Sequence, residues 1–203
     1  HDGGKCITAF KYNDDGTIKE AVSANGMKNL YGYDTDKNLI SLNIDFNGEV
    51  LAKNKYAYDS NGNRTIKRQL RGTTYYTYDS INQLINVKYP DYEEQLFYDK
   101  AGNRNKRIVN DVTEYYLYDK RNRLIRQVFQ QPTGTTAKHY IYDNAGNLMN
   151  DGERIYKNDA FNRVTRVETT NGQVQINRYD AEGLRYEMEE NKKLVQFIFN
   201  ENR

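Results

Sequence analysis

A tyrosine–aspartate pair recurs along this chain at a nearly fixed interval, and that recurrence restricts the fold more than any other feature of the sequence. Tyr58-Asp59-Ser60-Asn61-Gly62-Asn63-Arg64 returns as Tyr78-Asp79-Ser80-Ile81-Asn82-Gln83-Leu84. It returns again as Tyr98-Asp99-Lys100-Ala101-Gly102-Asn103-Arg104 and as Tyr118-Asp119-Lys120-Arg121-Asn122-Arg123-Leu124, so four copies stand 20 residues apart. Looser copies extend the series at Tyr12-Asn13, Tyr33-Asp34, Tyr142-Asp143, Asn158-Asp159 and Tyr179-Asp180, and a tenth opens at Phe199-Asn200.

Each position in the unit has a physical task. Asp follows the anchor in all complete copies but Asn13, and Gly or Asn stands three residues later: Gly16, Gly62, Asn82, Gly102, Asn122, Gly146, Asn162 and Gly183, with Lys37 the one departure. An Asp that opens a turn accepts hydrogen bonds from backbone N–H groups just ahead of it, and Gly or Asn tolerates positive φ. Together they predict a type I turn followed by a G1-bulge residue, which closes a β-hairpin. The flanks, such as Thr73-Thr74-Tyr75-Tyr76-Thr77-Tyr78 before a turn and Gln83-Leu84-Ile85-Asn86-Val87-Lys88-Tyr89 after it, are β-branched and aromatic. Return turns fall between units at Asn25-Gly26, Asn47-Gly48, Arg71-Gly72, Pro90-Asp91, Asn110-Asp111, Pro132-Thr133-Gly134, Asp151-Gly152 and Asn171-Gly172. The expectation is an all-β chain of tandem antiparallel hairpins with roughly eighteen short strands and no helix. It forms one array over residues 1–203, about nine units cut within a tenth, with no separate second domain.

Residues i and i−2 of a strand share a face. Two before the anchors stand Phe10, Tyr31, Tyr56, Tyr76, Leu96, Tyr116, Tyr140, Tyr156 and Asn177, so one face is expected to carry two aromatic columns. Cross-strand aromatic pairs at roughly 0.2–1 kcal/mol each would hold the sheet. Composition agrees with such a fold. The 19 Tyr and 2 Pro argue against disorder, and Tyr allows an ordered sheet without a thick dry core.

Several function classes lose ground here. Formal charge is +2, from 30 basic and 28 acidic residues interspersed, which gives no electrostatic case for nucleic acid. The basic stretch Arg104, Lys106, Arg107, Lys120, Arg121, Arg123 and Arg126 is interrupted by Asp111, Glu114 and Asp119 and is expected to be a solvated strand face. No apolar run approaches the ~18 residues of a membrane-spanning helix. Neither His1 nor His139 stands in a catalytic pattern, and Cys6, the single cysteine, has no motif around it. Asp59-Ser60-Asn61-Gly62-Asn63 and Asp143-Asn144-Ala145-Gly146-Asn147 superficially resemble calcium loops, but the twelfth positions hold Leu70 and Arg154 where an EF-hand needs Glu. No catalytic residue, metal site or cofactor is expected. The residues expected to define the structure are the turn residues Tyr58, Asp59, Gly62, Tyr78, Asp79, Asn82, Tyr98, Asp99, Gly102, Tyr118, Asp119, Asn122, Tyr142, Asp143, Gly146, Tyr179, Asp180 and Gly183.

At these residues the sequence resembles the RHS/YD-repeat family, whose unit reads roughly Tyr-Asp-x-x-Gly-Arg-Leu. Tyr58-Asp59 with Gly62 and Arg64, and Tyr118-Asp119 with Arg123-Leu124, carry the likeness. The unit Arg178-Tyr179-Asp180-Ala181-Glu182-Gly183-Leu184-Arg185-Tyr186-Glu187 looks most like versions in cell-wall-associated proteins of Gram-positive bacteria. The resemblance implies a curved β-strip that spirals into a hollow shell around a C-terminal toxin domain. The Asp-Pro-x-Gly motif that ends many bacterial repeat cores is absent, as is a toxin domain. With His1 rather than Met at its start, the chain is expected to be a fragment of the repeat region of a secreted or surface protein. Its expected partners are the rest of the parent protein and the toxin domain, with self-association through the apolar strand Leu194-Val195-Gln196-Phe197-Ile198-Phe199. The alternative is an adhesion module whose exposed Tyr hold a surface carbohydrate, and the discriminator is whether the tyrosine columns are packed or open.

Overall fold

The computed structural model describes residues 7–199, so His1, Cys6 and Asn200 lie outside the described residues. Among the described residues every regular element is a β-strand. The chain divides into two compact units, His1–Phe97 with Arg107–Asp111, and Tyr98–Lys106 with Val112–Arg203.

In the first unit, β1 (Thr8–Tyr12), β2 (Ile18–Ser23), β3 (Met27–Tyr33), β4 (Leu39–Phe46), β5 (Glu49–Tyr58), β6 (Arg64–Gln69), β7 (Gly72–Tyr78), β8 (Leu84–Lys88) and β9 (Glu93–Tyr98) pair antiparallel in sequence order. The division runs through β10 (Arg104–Val109) and through the end of β9, whose Tyr98 belongs to the second unit. In the second unit, β11 (Val112–Tyr118), β12 (Leu124–Gln131) and β13 (Gly134–His139) pair in order. There follow β14 (Ile141–Tyr142), β15 (Leu148–Asn150), β16 (Arg154–Asn158), β17 (Val164–Thr169), β18 (Val174–Tyr179), β19 (Arg185–Glu190) and β20 (Lys193–Gln196), again antiparallel and in order. The strand total exceeds the expected one for two reasons. β13 and β14 are halves of one extended segment that changes partner at Tyr140, and β20 leads into the tenth copy.

The hairpins share an offset that composition does not reveal. Pairing shifts by one residue just before the anchor, between Lys11/Tyr12, Gly32/Tyr33, Ala57/Tyr58, Thr77/Tyr78, Leu117/Tyr118, Ile141/Tyr142, Lys157/Asn158 and Arg178/Tyr179. The extra residue always sits on the returning strand, seven after the anchor: Lys19, Ile40, Thr65, Ile85, Ile125, Met149, Thr165 and Tyr186. A bulge of this kind disrupts the ladder locally and bends the strand.

Burial follows the expected alternation except in β1, where Phe10 and Tyr12, expected in the aromatic columns, are 49% and 59% exposed. Tyr56, Tyr76 and Tyr140 are half-buried, and Leu96, Tyr116 and Asn177 are buried. The intervening Tyr75, Phe97, Tyr115 and Leu117 face outward and are exposed. Among the described residues no side chain is completely buried. The contacts across the tyrosine face differ from the expected aromatic pairs. Opposite Tyr31, Tyr56, Tyr76, Tyr116 and Tyr156 stand Leu42, Lys67, Val87, Gln127 and Val167, because the paired position on the returning strand is not aromatic.

Candidate functional site

The repeated chemistry of this chain sits at the Asp turn and at the link from each turn to the next hairpin. The turn geometry matches the expectation. In the copies opened by Asp59, Asp79, Asp99, Asp119, Asp143, Asp159 and Asp180, the N–H three residues on donates to the Asp carbonyl at 3.0–3.1 Å. The Asp N–H donates in turn to the carbonyl four residues on at 2.9–3.0 Å. Gly62, Gly102, Gly146 and Gly183 have φ between 81° and 96°, and Asn82, Asn122 and Asn162 lie at 58–64°. Lys37, the departure from the pattern, adopts φ 64° as well. The Asp carboxylate caps the turn: Asp59 Oδ1 accepts from the N–H groups of Asn61 and Asn63 at 3.0 and 2.9 Å. Asp79, Asp99, Asp119, Asp159 and Asp180 make the same pair of bonds.

The anchor tyrosines reach backwards. Tyr58 Oη donates to the Leu39 carbonyl at 2.9 Å, Tyr78 to Arg64 at 3.0 Å, Tyr118 to Arg104 at 2.9 Å, Tyr142 to Leu124 at 3.0 Å and Tyr179 to Val164 at 3.0 Å. The acceptor is the residue six after the preceding anchor, beside the bulge, where the ladder is interrupted. Each hydroxyl therefore ties one hairpin to the one before it. Tyr98 is half-buried in the same column. Burial raises the pKa of Tyr58, Tyr78, Tyr118 and Tyr142, opposed by Arg64, Arg64, Arg104 and Arg123 respectively.

The residue five after the anchor, which the sequence marked as part of the unit without a physical task, reaches forwards. After Gly62, Gly102 and Gly146 stand Asn63, Asn103 and Asn147, whereas Gly16 and Gly183 are followed by Thr17 and Leu184; the turns with Asn carry Gln83, Arg123 and Arg163 next. In the first type the amide donates to its own Asp and to the turn Asn of the following hairpin: Asn63 to Asp59 Oδ2 and Asn82 Oδ1 at 3.1 and 2.7 Å, and Asn147 to Asp143 and Asn162 at 2.9 and 2.7 Å. Asn103 bonds Asp99 and Asn122 in the same way. In the second type, where the residue is Arg, the guanidinium pairs with its own Asp, donates to the next Asp carbonyl and covers the next anchor ring. Arg123 Nε lies 2.7 Å from Asp119, its Nη1 3.3 Å from the Asp143 carbonyl and its Cζ 4.9 Å from the Tyr142 ring centre. Arg163 repeats this with Asp159, Asp180 and Tyr179.

A second set of arginines follows the Gly-type turns, with Arg64, Arg104 and Arg185 over Tyr76, Tyr116 and Phe197 at 5.0, 4.7 and 4.8 Å. Cation–π contacts, about 0.5–1 kcal/mol each when exposed, thus stand where aromatic pairs were expected. Much of the basic stretch read as a solvated face is engaged: Arg104 and Arg123 lie over rings, and Arg107 Nε is 2.6 Å from Glu94. The repeat-defining tyrosine columns are packed and bonded within the strip rather than open.

No protein-family model matches the chain, and no curated protein matches it. Solved structures do. A chain of the TcdB2-TccC3-TEV crystal structure superposes with TM-score 0.62 over 91% of this chain at 14% identity. A mutant Photorhabdus luminescens Tc holotoxin pore gives 0.62 over 92% at 16%, and the TcdB2-TccC3 crystal structure 0.57 over 93% at 16%. This chain spans 11–12% of the length of those chains. The likeness in fold extends over nearly all of the chain, and the fold so shared is a strip of tandem antiparallel β-hairpins.

Proposed function

We propose that the chain is a non-catalytic wall segment of a secreted or surface RHS/YD-repeat protein, part of a β-shell that encloses and helps deliver a C-terminal toxin domain. The observation that carries this reading is where the polar side chains of the repeat are spent. The Asp, the anchor hydroxyl and the residue five after the anchor are engaged in capping turns and joining neighbouring hairpins. Such chemistry builds a wall and leaves the repeated residues little capacity for substrate. The fold shared with segments of Tc toxin complex chains supports the same reading. The unit around Tyr179 favours a bacterial parent of the Gram-positive cell-wall type. No cofactor is required.

Limited trypsin digestion of the parent protein tests this. The segment C-terminal to the repeats is expected to resist cleavage in native buffer and to be cut after mild denaturation. Combining Tyr58→Phe, Tyr78→Phe, Tyr118→Phe and Tyr142→Phe is expected to hasten that exposure. Equal cleavage of the segment with and without an intact strip would refute enclosure.

A further inference from the structure

In Lys53-Asn54-Lys55-Tyr56-Ala57 of β5 successive side chains alternate, so Lys53, Lys55 and Ala57 lie on the face away from the Tyr56 column. Register sets Lys55 opposite Arg68 of β6 and Ala57 opposite Ile66. Ser41 and Asn43 of β4 stand opposite Lys55 and Lys53, and Thr73 of β7 stands opposite Arg68. One row across four strands therefore reads Ser41, Lys55, Arg68, Thr73. Like charges directly opposite one another destabilise a sheet. On the same face of the first unit Lys11, Lys28 and Lys88 stand opposite Glu20, Asp45 and Glu93. Lys53, Lys55 and Arg68 have as cross-strand partners only Asn43, Ser41, Thr73 and one another. All three cations are exposed. A cleft of about 500 Å³ is lined by Ser41, Lys55, Ala57, Ile66 and Arg68, together with Ile40 and Tyr56. Lys55 and Arg68 also line a smaller one of about 170 Å³, with Lys53, Gln69 and Leu70.

We propose that this face of β5 and β6 binds an extended acidic peptide, in which an apolar residue is followed by acidic residues two and four positions later. Charge complementarity sets the acidic part, since three cations meet here with no carboxylate opposite any of them. Alternate side chains of an extended peptide recur at about 7 Å, the interval between Lys53 and Lys55, so two carboxylates at that spacing reach both. The planar guanidinium of Arg68 takes a carboxylate through two parallel hydrogen bonds, and the hydroxyls of Ser41 and Thr73 flank the row as further donors. The apolar residue answers Ile40, Ala57 and Ile66, which line the cleft beside Lys55. That apolar end favours a peptide over a phosphate polymer, which matches the charges but leaves Ile40 and Ile66 uncovered. The site does not depend on the shell reading.

Fluorescence anisotropy on the whole 203-residue chain tests the site, with N-terminally labelled Leu-Thr-Glu-Thr-Glu-Thr-amide as the probe. Lys55→Gln combined with Arg68→Gln is expected to weaken binding about tenfold or more. Lys100→Gln combined with Lys120→Gln, which removes two exposed charges elsewhere, is expected to leave binding unchanged. A probe with Ser in place of Leu is expected to bind about threefold or more weakly. The first double variant is also expected to keep or raise Tm, because it removes the like-charge pair, so its loss of binding is not loss of fold. A fall in its Tm would contradict the like-charge reading on which the proposal stands. Absence of binding by the probe overturns the proposal, and so do equal losses in the two double variants, since the probe then senses net charge alone. Competition by inorganic polyphosphate with no effect of the Ser probe would assign the site to phosphate polymers and overturn the peptide.

Discussion

Tyr75 and Tyr78 lie three residues apart on β7, yet losing their hydroxyls should have unequal consequences. Tyr78 Oη holds the Arg64 carbonyl, whereas Tyr75 is 47% exposed on the other face. Tyr78→Phe is expected to cost about 0.5–1.5 kcal/mol, the usual net worth of such a bond, and Tyr75→Phe nearly nothing. Urea denaturation of both variants decides, and equal effects would remove the staple. The same residues set the pH response. Asp59, Asp99 and Asp143 are lowered from 3.8 first by the side-chain amides of Asn63, Asn103 and Asn147, and Asp119 first by the Arg123 N–H and then its guanidinium. Glu20 is held at about 2 by Lys11 and Lys28. A depressed folded value contributes stability above the unfolded pKa and loses it as pH falls through the folded one. The raised tyrosines act in the opposite sense, contributing below pH 10.0 and losing it as pH rises past that value. Tm is therefore expected to hold through neutral pH and to fall at both extremes. A Tm that stays flat from about pH 5 to pH 2 would contradict the carboxylate caps.

At the scale of one hairpin, the turn was legible because its residues are chosen for backbone reasons. Gly62 has φ 81°, and a Cβ there would meet nothing within 4 Å, so only the backbone conformation penalises a side chain. Gly62→Asn, copying Asn82 and Asn122, is expected to be nearly silent, and Gly62→Val to cost about 1–2 kcal/mol. Thermal melts check the pair, and equal tolerance would show the turn type to be wrong. The bulge was not legible. Lys19, Ile40, Thr65 and Tyr186 all occupy it, because the position asks for an extra residue rather than for a side chain. The link at the fifth position after the anchor did leave a signal, the alternation of Gly-Asn with Asn-Arg or Asn-Gln, but its meaning depends on which turns are neighbours in space. Arg123→Lys is expected to destabilise although charge is kept, since an ammonium cannot pair with Asp119, reach the Asp143 carbonyl and cover Tyr142 at once.

For the whole molecule, the all-β hairpin architecture followed from the repeat period, while the neighbour-to-neighbour bonding that replaces a core emerged only from coordinates. The exposed Leu194, Val195, Ile198 and Phe199 at the terminal strand predict self-association, measurable by light scattering and reduced by Ile198→Lys. The central claim is that each hairpin is held by its neighbours rather than by a shared interior. Native-state hydrogen exchange on Asp159→Ala tests it most directly, because this change removes the cap of one turn and frees Arg163 from its own carboxylate. In an array stabilised by neighbour contacts, damage stays local. The expected result is faster exchange in β16 and β17, a smaller rise in β15 and β18, and no change in β1 to β4. A uniform rise across all strands would mean that the chain unfolds as one cooperative core, contrary to this account.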